Sequence, residues 1–168
     1  MVRRIRWMAA LGLAAALAAA CDARPDVTPT ATGTGATTPT AASTPAAGPT
    51  ITVYASPGCG CCHRYIPYLR AHGFAVREVR ADDVTAVKVD LGVPEEAWSC
   101  HTATVGRYVI EGHVPVEAIE RLLAERPAVD GIALPGMPAG APGMDGEKAA
   151  PFEIVAFRDG RVVPFMTV

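Results

Sequence analysis

The chain has 168 residues, a formal net charge of −2 and a pI near 6.1, enough for one domain with an extension. Half of its residues are hydrophobic but only 6% are aromatic, so the expected core is small and aliphatic. No basic surplus is present to neutralise phosphates, which argues against a nucleic-acid partner, and no apolar run reaches the roughly 18–20 residues of a membrane span.

Residues 1–20 read as a signal peptide. Arg3, Arg4 and Arg6 supply a positive start, and Trp7 to Ala20 an apolar stretch ending in small residues. Arg3-Arg4 hints at a twin-arginine signal, with little else around it to match. Leu17-Ala18-Ala19-Ala20-Cys21 resembles a bacterial lipobox, in which Cys21 becomes the lipidated N-terminus; Ala18 stands where a larger aliphatic is usual. The alternative is ordinary cleavage after an Ala-x-Ala site, which leaves Cys21 as a free thiol. Removing residues 1–20 takes away three arginines and no acid, so the remainder carries 12 basic and 17 acidic residues. Such a balance suits cations better than anionic partners.

Residues 21–49 read as a disordered linker behind the anchor. From Asp22 to Pro49, 24 of 28 residues are Thr, Ala, Pro, Gly or Ser, and no charge follows Asp26. That composition cannot bury enough apolar area to offset its ordering entropy, and its prolines favour an extended spacer. The Thr-Pro density also permits O-glycosylation.

Residues 50–168 read as the domain. Ile51–Ala55 is a β-branched strand, broken by Ser56-Pro57-Gly58. A helix is predicted from about Cys61 to Ala71, with Gly73 as its stop; Pro67 should kink it or cost roughly 3 kcal/mol unless it falls in the first turn. Phe74–Val79 alternates as a second strand. Asp82 or Asp83 can cap a helix running to Leu91, ended by Gly92-Val93-Pro94. Thr102–Val105 and Tyr108–Glu111, divided by Gly106-Arg107, read as a hairpin. Pro115 suits a first helical position, and Ile119, Leu122 and Leu123 give helical spacing as far as Glu125. Residues 131–151 are rich in Gly, Pro and Ala and read as loop. Finally, Phe152–Phe157 and Arg161–Phe165 flank Arg158-Asp159-Gly160, a strong hairpin signal. An isolated hairpin is marginal, so this one is expected to pack onto the core. The resulting β-α-β-α-β-β-α order, with a Cys-x-x-Cys between first strand and first helix, resembles the α/β thioredoxin/glutaredoxin fold.

The cysteines carry the chemistry. Cys59-Gly60-Cys61-Cys62 places three thiols within four residues. Cys59 and Cys62 have Cys-x-x-Cys spacing, and a helix N-terminus stabilises thiolate through its free N–H groups and dipole. Cys61 occupies the slot where thioredoxins carry proline and adds a third soft donor. Cys61 and Cys62 are neighbours about 3.8 Å apart at Cα, short of the roughly 4.4–6.8 Å a disulfide spans, so Cys59–Cys62 is the comfortable pair. Cys100 lies in Trp98-Ser99-Cys100-His101-Thr102, just before the third strand, where a glutaredoxin-like fold would bring it to the cluster as a fourth sulfur. The alternatives are a structural disulfide of Cys100 with Cys61 or Cys59, or an isolated buried thiol. Thiolate and thioether donors favour Cu(I), while sites of four cysteines, or of three cysteines and a histidine, also suit Zn(II). Met137 and Met144, in Gly/Pro-rich loop, tilt the choice towards copper as ligands or near-ligands, although a loop methionine often only plugs a core. Crowded thiolates can bridge several Cu(I) ions. His101 adjoins Cys100 and is the best imidazole candidate. His113 precedes a helix and could merely cap it; His63 follows the cluster; His72 suits a helix end. Tyr65 reads as packing beside the cluster, Trp98 as core or as a shield for the site, and Glu95, Glu96, Glu117 and Glu120 as solvated faces.

Ser56–Cys62, Ser99–Thr102, Tyr108–Pro115 and Gly136–Met144 together resemble domain of unknown function family 411, whose members include CopG-type copper-resistance proteins. The resemblance covers about residues 51–146. It implies a thioredoxin-like fold, an exported location and copper binding through Cys59, Cys61, Cys62 and Cys100, with Met137 and Met144 as helpers. The family commonly has tryptophan where this chain has Tyr65; that change removes no soft ligand.

The sequence therefore supports an exported, periplasmic or extracytoplasmic protein, tethered through Cys21, that holds Cu(I) in a thiolate cluster for copper resistance or handling. Its partners would be copper ions, a copper donor or acceptor protein, and the membrane through the lipid anchor alone. The rival is an enzyme, with Cys59 as nucleophile and Cys62 resolving in thiol–disulfide or copper redox exchange. A structural zinc site is the third reading.

Overall fold

The computed structural model describes residues 48–168. The segments read as a signal peptide and, as far as residue 47, a linker, with Cys21 between them, lie outside the described residues. No helix among the described residues is long and apolar enough to cross a membrane.

The chain alternates strand and helix in the predicted order: β1 (Thr50–Ala55), α1 (Gly60–Ala71), β2 (Ala75–Arg80), α2 (Val84–Asp90), a 3-10 turn at Glu95–Ala97, β3 (Thr102–Val105), β4 (Tyr108–Glu111) and α3 (Val116–Glu125). Then come β5 (Gly131–Ala133), β6 (Glu153–Arg158) and β7 (Arg161–Thr167). All seven strands form one mixed sheet, ordered β2-β1-β3-β4-β5-β6-β7. β1 runs parallel to β2 and antiparallel to β3, and β3 is antiparallel to β4. The α/β reading and the first four strands stand as expected.

Both faces of the sheet are covered, and side-chain alternation sorts them. Ile51, Val53 and Ala55 of β1, Tyr108 and Ile110 of β4, and Ile154 and Ala156 of β6 join the main core with Tyr65, Ile66 and Leu69 of α1 and Ile119 and Leu122 of α3. Val109, Ala133 and Phe157, one residue out of phase, meet Val93 and Ala97 in a smaller core on the other face. Trp98 packs against that second core and donates its indole N–H to the Val93 carbonyl at 2.9 Å. Its sequence reading as core is the one the packing supports.

Several boundaries differ for local reasons. Asp83, rather than Asp82, caps α2, accepting from Ala86 N at 3.0 Å. Pro115 is the cap of α3 in extended backbone (φ −60°, ψ 147°), not its first helical residue. Pro67 lies inside α1, beyond the first turn, on the exposed side, where water can reach the carbonyl its missing N–H leaves free. β5 was hidden in what reads as loop. Gly131-Ile132-Ala133 is too short to show a period, and becomes a strand because it pairs parallel with β4 on one side and antiparallel with β6 on the other. It splices the terminal hairpin into the sheet. The turn at Asp159-Gly160 takes φ of 50° and 72°, as the two-residue hairpin reading requires.

Candidate metal centre

The cluster forms where β1 gives way to α1. Ser56 O accepts from Cys59 N at 3.0 Å, turning the chain so that Cys59 caps the helix and Cys61 and Cys62 fall in its first turn. Cys59 and Cys62 are joined by a disulfide, with Cα atoms 5.3 Å apart. Cys61 and Cys100 are free and half-buried. The Cys61 sulfur lies 3.5 Å from that of Cys59 and 3.7 Å from that of Cys100. Cys62 Sγ is 3.6 Å from Cys100 Sγ. All four sulfurs fall within 4.8 Å of one another. A structural disulfide from Cys100 to Cys59 or Cys61 is therefore not what the fold contains: Cys100 is a free fourth sulfur, delivered by the start of β3.

Cys100 is held by its neighbours on both sides. Glu111, on β4 and wholly buried, accepts from Ser99 N at 2.7 Å and from Thr102 Oγ1 at 2.6 Å. Its charge is met by Lys88 Nζ of α2 at 2.6 Å, and Lys88 also donates to Thr102 Oγ1 at 3.0 Å. Gly112 follows, and a Cβ there would lie 2.5 Å from Ser99 Cβ, so only glycine lets β4 pass this close. The Lys88–Glu111 clamp was not visible in the sequence. Lys88 sits on the short α2 and Glu111 in a β-run; strand pairing sets Glu111 beside Thr102, and the packing of α2 brings Lys88 to both.

Two imidazoles line the inner side of Cys100. His113 Nε2 is 3.0 Å and His101 Nδ1 3.3 Å from Cys100 Sγ. The other nitrogen of His113, Nδ1, donates to the Pro142 carbonyl at 2.6 Å, so Nε2 faces the sulfur with its lone pair. His101 is wholly buried and its Nε2 has no hydrogen-bond partner among the described residues. Cys100, His101 and His113 form a second group whose ligand atoms lie within 4.8 Å of one another. His113 is thus not a helix cap. Tyr65 backs both rings, with centroids 5.0 and 5.4 Å away, and donates its hydroxyl to Val114 O at 2.6 Å.

Electrostatics favour the neutral forms of these groups wherever no cation compensates them. Burial, then the neighbouring Cys61 charge, pushes the Cys100 thiol up to about 12. Burial, with His113 and Lys88 adding to it, holds His101 well below its usual value; burial likewise lowers His113, against the Pro142 hydrogen bond. Several thiolates together are costly in such surroundings unless a cation offsets their charge.

The Gly/Pro-rich loop straps across the site. Gly143, at φ +81°, packs so closely on α1 that a Cβ would lie 2.7 Å from Tyr65 N and 2.9 Å from Cys61 O. Arg64 ties it down, donating to Gly143 O and to Asp145, both at 2.9 Å. Met144 is half-buried and packs against the main core. Met137 is 56% exposed, although the residue before it, Gly136, is bonded through its carbonyl to Ser99 Oγ and through its N–H to Trp98 O. His63 lies outside, 3.3 Å from Glu78, and His72 bonds Tyr68 O at the end of α1; neither belongs to the sulfur groups. Glu95, Glu96, Glu117 and Glu120 are exposed.

Comparison with known proteins bears on the same segments. A family described as "Protein of unknown function, DUF411" matches residues 97–144, the stretch holding Cys100, both imidazoles and most of the strap. No curated protein matches the chain. Two solved structures do: "Copper resistance protein copG- Form 2", at 38% identity and TM-score 0.66, and "Copper resistance protein copG- Form 1", at 39% and 0.65. Each match covers 71% of this chain and 98% of the other. With that identity over nearly the full length of those relatives, and the family's motif region in place, the chain belongs to the DUF411 family, alongside the copG copper resistance proteins.

Proposed function

We propose that this protein binds copper outside the cytoplasm, holding Cu(I), as one ion or several, on the thiolates of Cys59, Cys61, Cys62 and Cys100, in the service of copper resistance or handling. The observation that carries the reading is the convergence of four sulfurs within 4.8 Å from two distant segments. Soft thiolates select Cu(I), and similarity to proteins named for copper resistance supports the choice. Met144 on the strap and Met137 at its exposed start are the proposed thioether helpers, and His101 the imidazole one. In this reading the chain is tethered through a lipidated Cys21 and exchanges copper with a donor or acceptor protein.

The test is anaerobic titration of the fully reduced chain with Cu(I) against a competing chelator, counting metal and free thiols together. Tight binding that consumes four thiols supports the proposal. If Cys61→Ser leaves Cu(I) stoichiometry and affinity unchanged, the cluster reading is wrong. An intact mass with no acyl chains or glycerol on Cys21 would end the anchor reading.

The second reading, an oxidoreductase, draws support from the Cys59–Cys62 disulfide at a helix start. It expects Cys59 to react with disulfide substrates in the metal-free chain; an inert Cys59 thiol counts against it. A four-cysteine zinc site is the third, and there chelation should unfold the domain.

A further inference from the structure

The disulfide between Cys59 and Cys62 removes two of the four sulfurs from metal binding, yet it includes none of the second donor group, which it meets only where Cys62 Sγ lies 3.6 Å from Cys100 Sγ. Cys100 belongs to both. We propose that, with the disulfide closed, the chain retains a mononuclear site made by Cys100 Sγ, His101 Nδ1 and His113 Nε2, which takes one d10 ion, Cu(I) or Zn(II). The inference deepens the copper reading and rests on it for the nature of the cargo, but its donors are imidazole as well as thiolate.

Three observations carry it. The first is distance. His113 Nε2 and His101 Nδ1 lie 3.0 and 3.3 Å from the sulfur. An ion bonded at about 2.3 Å to sulfur and about 2.0–2.1 Å to nitrogen holds such a pair about 3.5 Å apart, so each nitrogen needs to move from the sulfur by only about 0.2–0.5 Å, and the two nitrogens already lie within 4.8 Å of each other. The second is the partner behind His113. A metal-ligating imidazole nearly always donates its other N–H to a fixed acceptor, which sets its tautomer. Pro142 O, at 2.6 Å on the strap, fills that role, and Arg64 fixes the strap through Gly143 and Asp145.

The third is His101. Its ring is fully buried and its Nε2 is unpartnered among the described residues, so its polar contact there is made through Nδ1 at the sulfur. In either neutral tautomer one ring nitrogen lacks full pairing, which is destabilising for a buried polar group. Ligation through Nδ1 puts the ring proton on Nε2 and does not relieve that cost; what burial supplies is a ring held with Nδ1 at the sulfur, 4.8 Å from the His113 ring between centroids. Cys61 is close to Cys100, at 3.7 Å, but falls outside the three-atom group, so one coordination position is left for an incoming donor. Closing the disulfide then lowers the metal capacity of the protein without emptying it, and Cys100 is the donor common to both states.

The experiment uses the full chain in two forms, disulfide-closed and fully reduced by a dithiol, with thiols counted before and after. Each is titrated with Cu(I), and separately with Zn(II), which cannot reduce a disulfide. X-ray absorption of the loaded disulfide-closed form reads the donor atoms directly, without any substitution of a buried residue. The expected result is one ion per disulfide-closed chain, a shell containing nitrogen and sulfur, and at least a tenfold loss of affinity in His113→Gln. No ion on the disulfide-closed chain, or a sulfur-only shell, overturns the inference; if the reduced chain meanwhile loads copper on four thiols, the four-cysteine reading stands. One ion on both forms, with the same nitrogen-and-sulfur shell, supports this site and sinks the four-cysteine cluster. Binding by neither overturns both.

Discussion

Replacing Lys88 by methionine removes the cation from a pair in which the ammonium is 5% and the carboxylate 0% exposed. Glu111 keeps its two remaining donors, Ser99 N and Thr102 Oγ1, but loses the charge partner at 2.6 Å. Breaking a buried pair from one side typically costs about 3–5 kcal/mol, because the other charge stays buried without compensation. For a domain of this size that corresponds to a fall in Tm of about 10 °C or more. Replacing both partners, as Lys88→Met with Glu111→Leu, should recover much of that loss, since a fully apolar substitute leaves no stranded charge. The single variant should also loosen residues 99–102, so Cys100, whose thiol burial holds up near 12, should alkylate faster at pH 8. Urea denaturation of the two variants against the parent, with alkylation followed by peptide mass, tests both consequences. A single variant less than about 1 kcal/mol below the parent, or a double variant no better than the single, would refute the account of Glu111 as a desolvated anchor for the Cys100 segment.

Three other expectations are independent of it. Gly143→Ala, at φ +81° with its Cβ 2.7 Å from Tyr65 N, should cost about 1–3 kcal/mol and make the strap more susceptible to proteolysis; an unchanged denaturation midpoint would show that the strap does not need this close approach. Tyr65→Phe leaves the Val114 carbonyl without its 2.6 Å donor and should lower stability by about 1–3 kcal/mol while leaving the thiol count at the cluster unaltered; urea midpoints and a thiol titration read the two effects. Acid should destabilise the metal-free fold early. His101 and His113 are held below 6.5 when folded, so below that pH the unfolded chain binds more protons and stability falls by up to about 1.4 kcal/mol per pH unit for each. Urea midpoints at pH 7, 6 and 5 check this, and a flat profile would contradict the burial of the two rings.

Much of this molecule is written locally. The β-branched run of β1, the aspartate cap of α2, the paired β3 and β4 runs and the Asp159-Gly160 turn each depend on neighbours within a few residues, so the strand–helix order follows from sequence. The Cys59-x-x-Cys62 pairing was legible for the same reason: helical geometry sets the separation of residues three apart. What only the tertiary structure decided depends on contacts across long stretches of chain. β5 is a strand because of its two neighbours in the sheet, not because of its own composition. Nothing local marks Lys88 and Glu111 as a pair; strand register and α2 bury them together. His113 reads as a cap until the strap, returning some thirty residues later, places the Pro142 carbonyl behind it and turns its lone pair onto Cys100. A sequence window records which soft donors exist. Folding decides which of them share a sulfur, because desolvation and long-range pairing fix their directions.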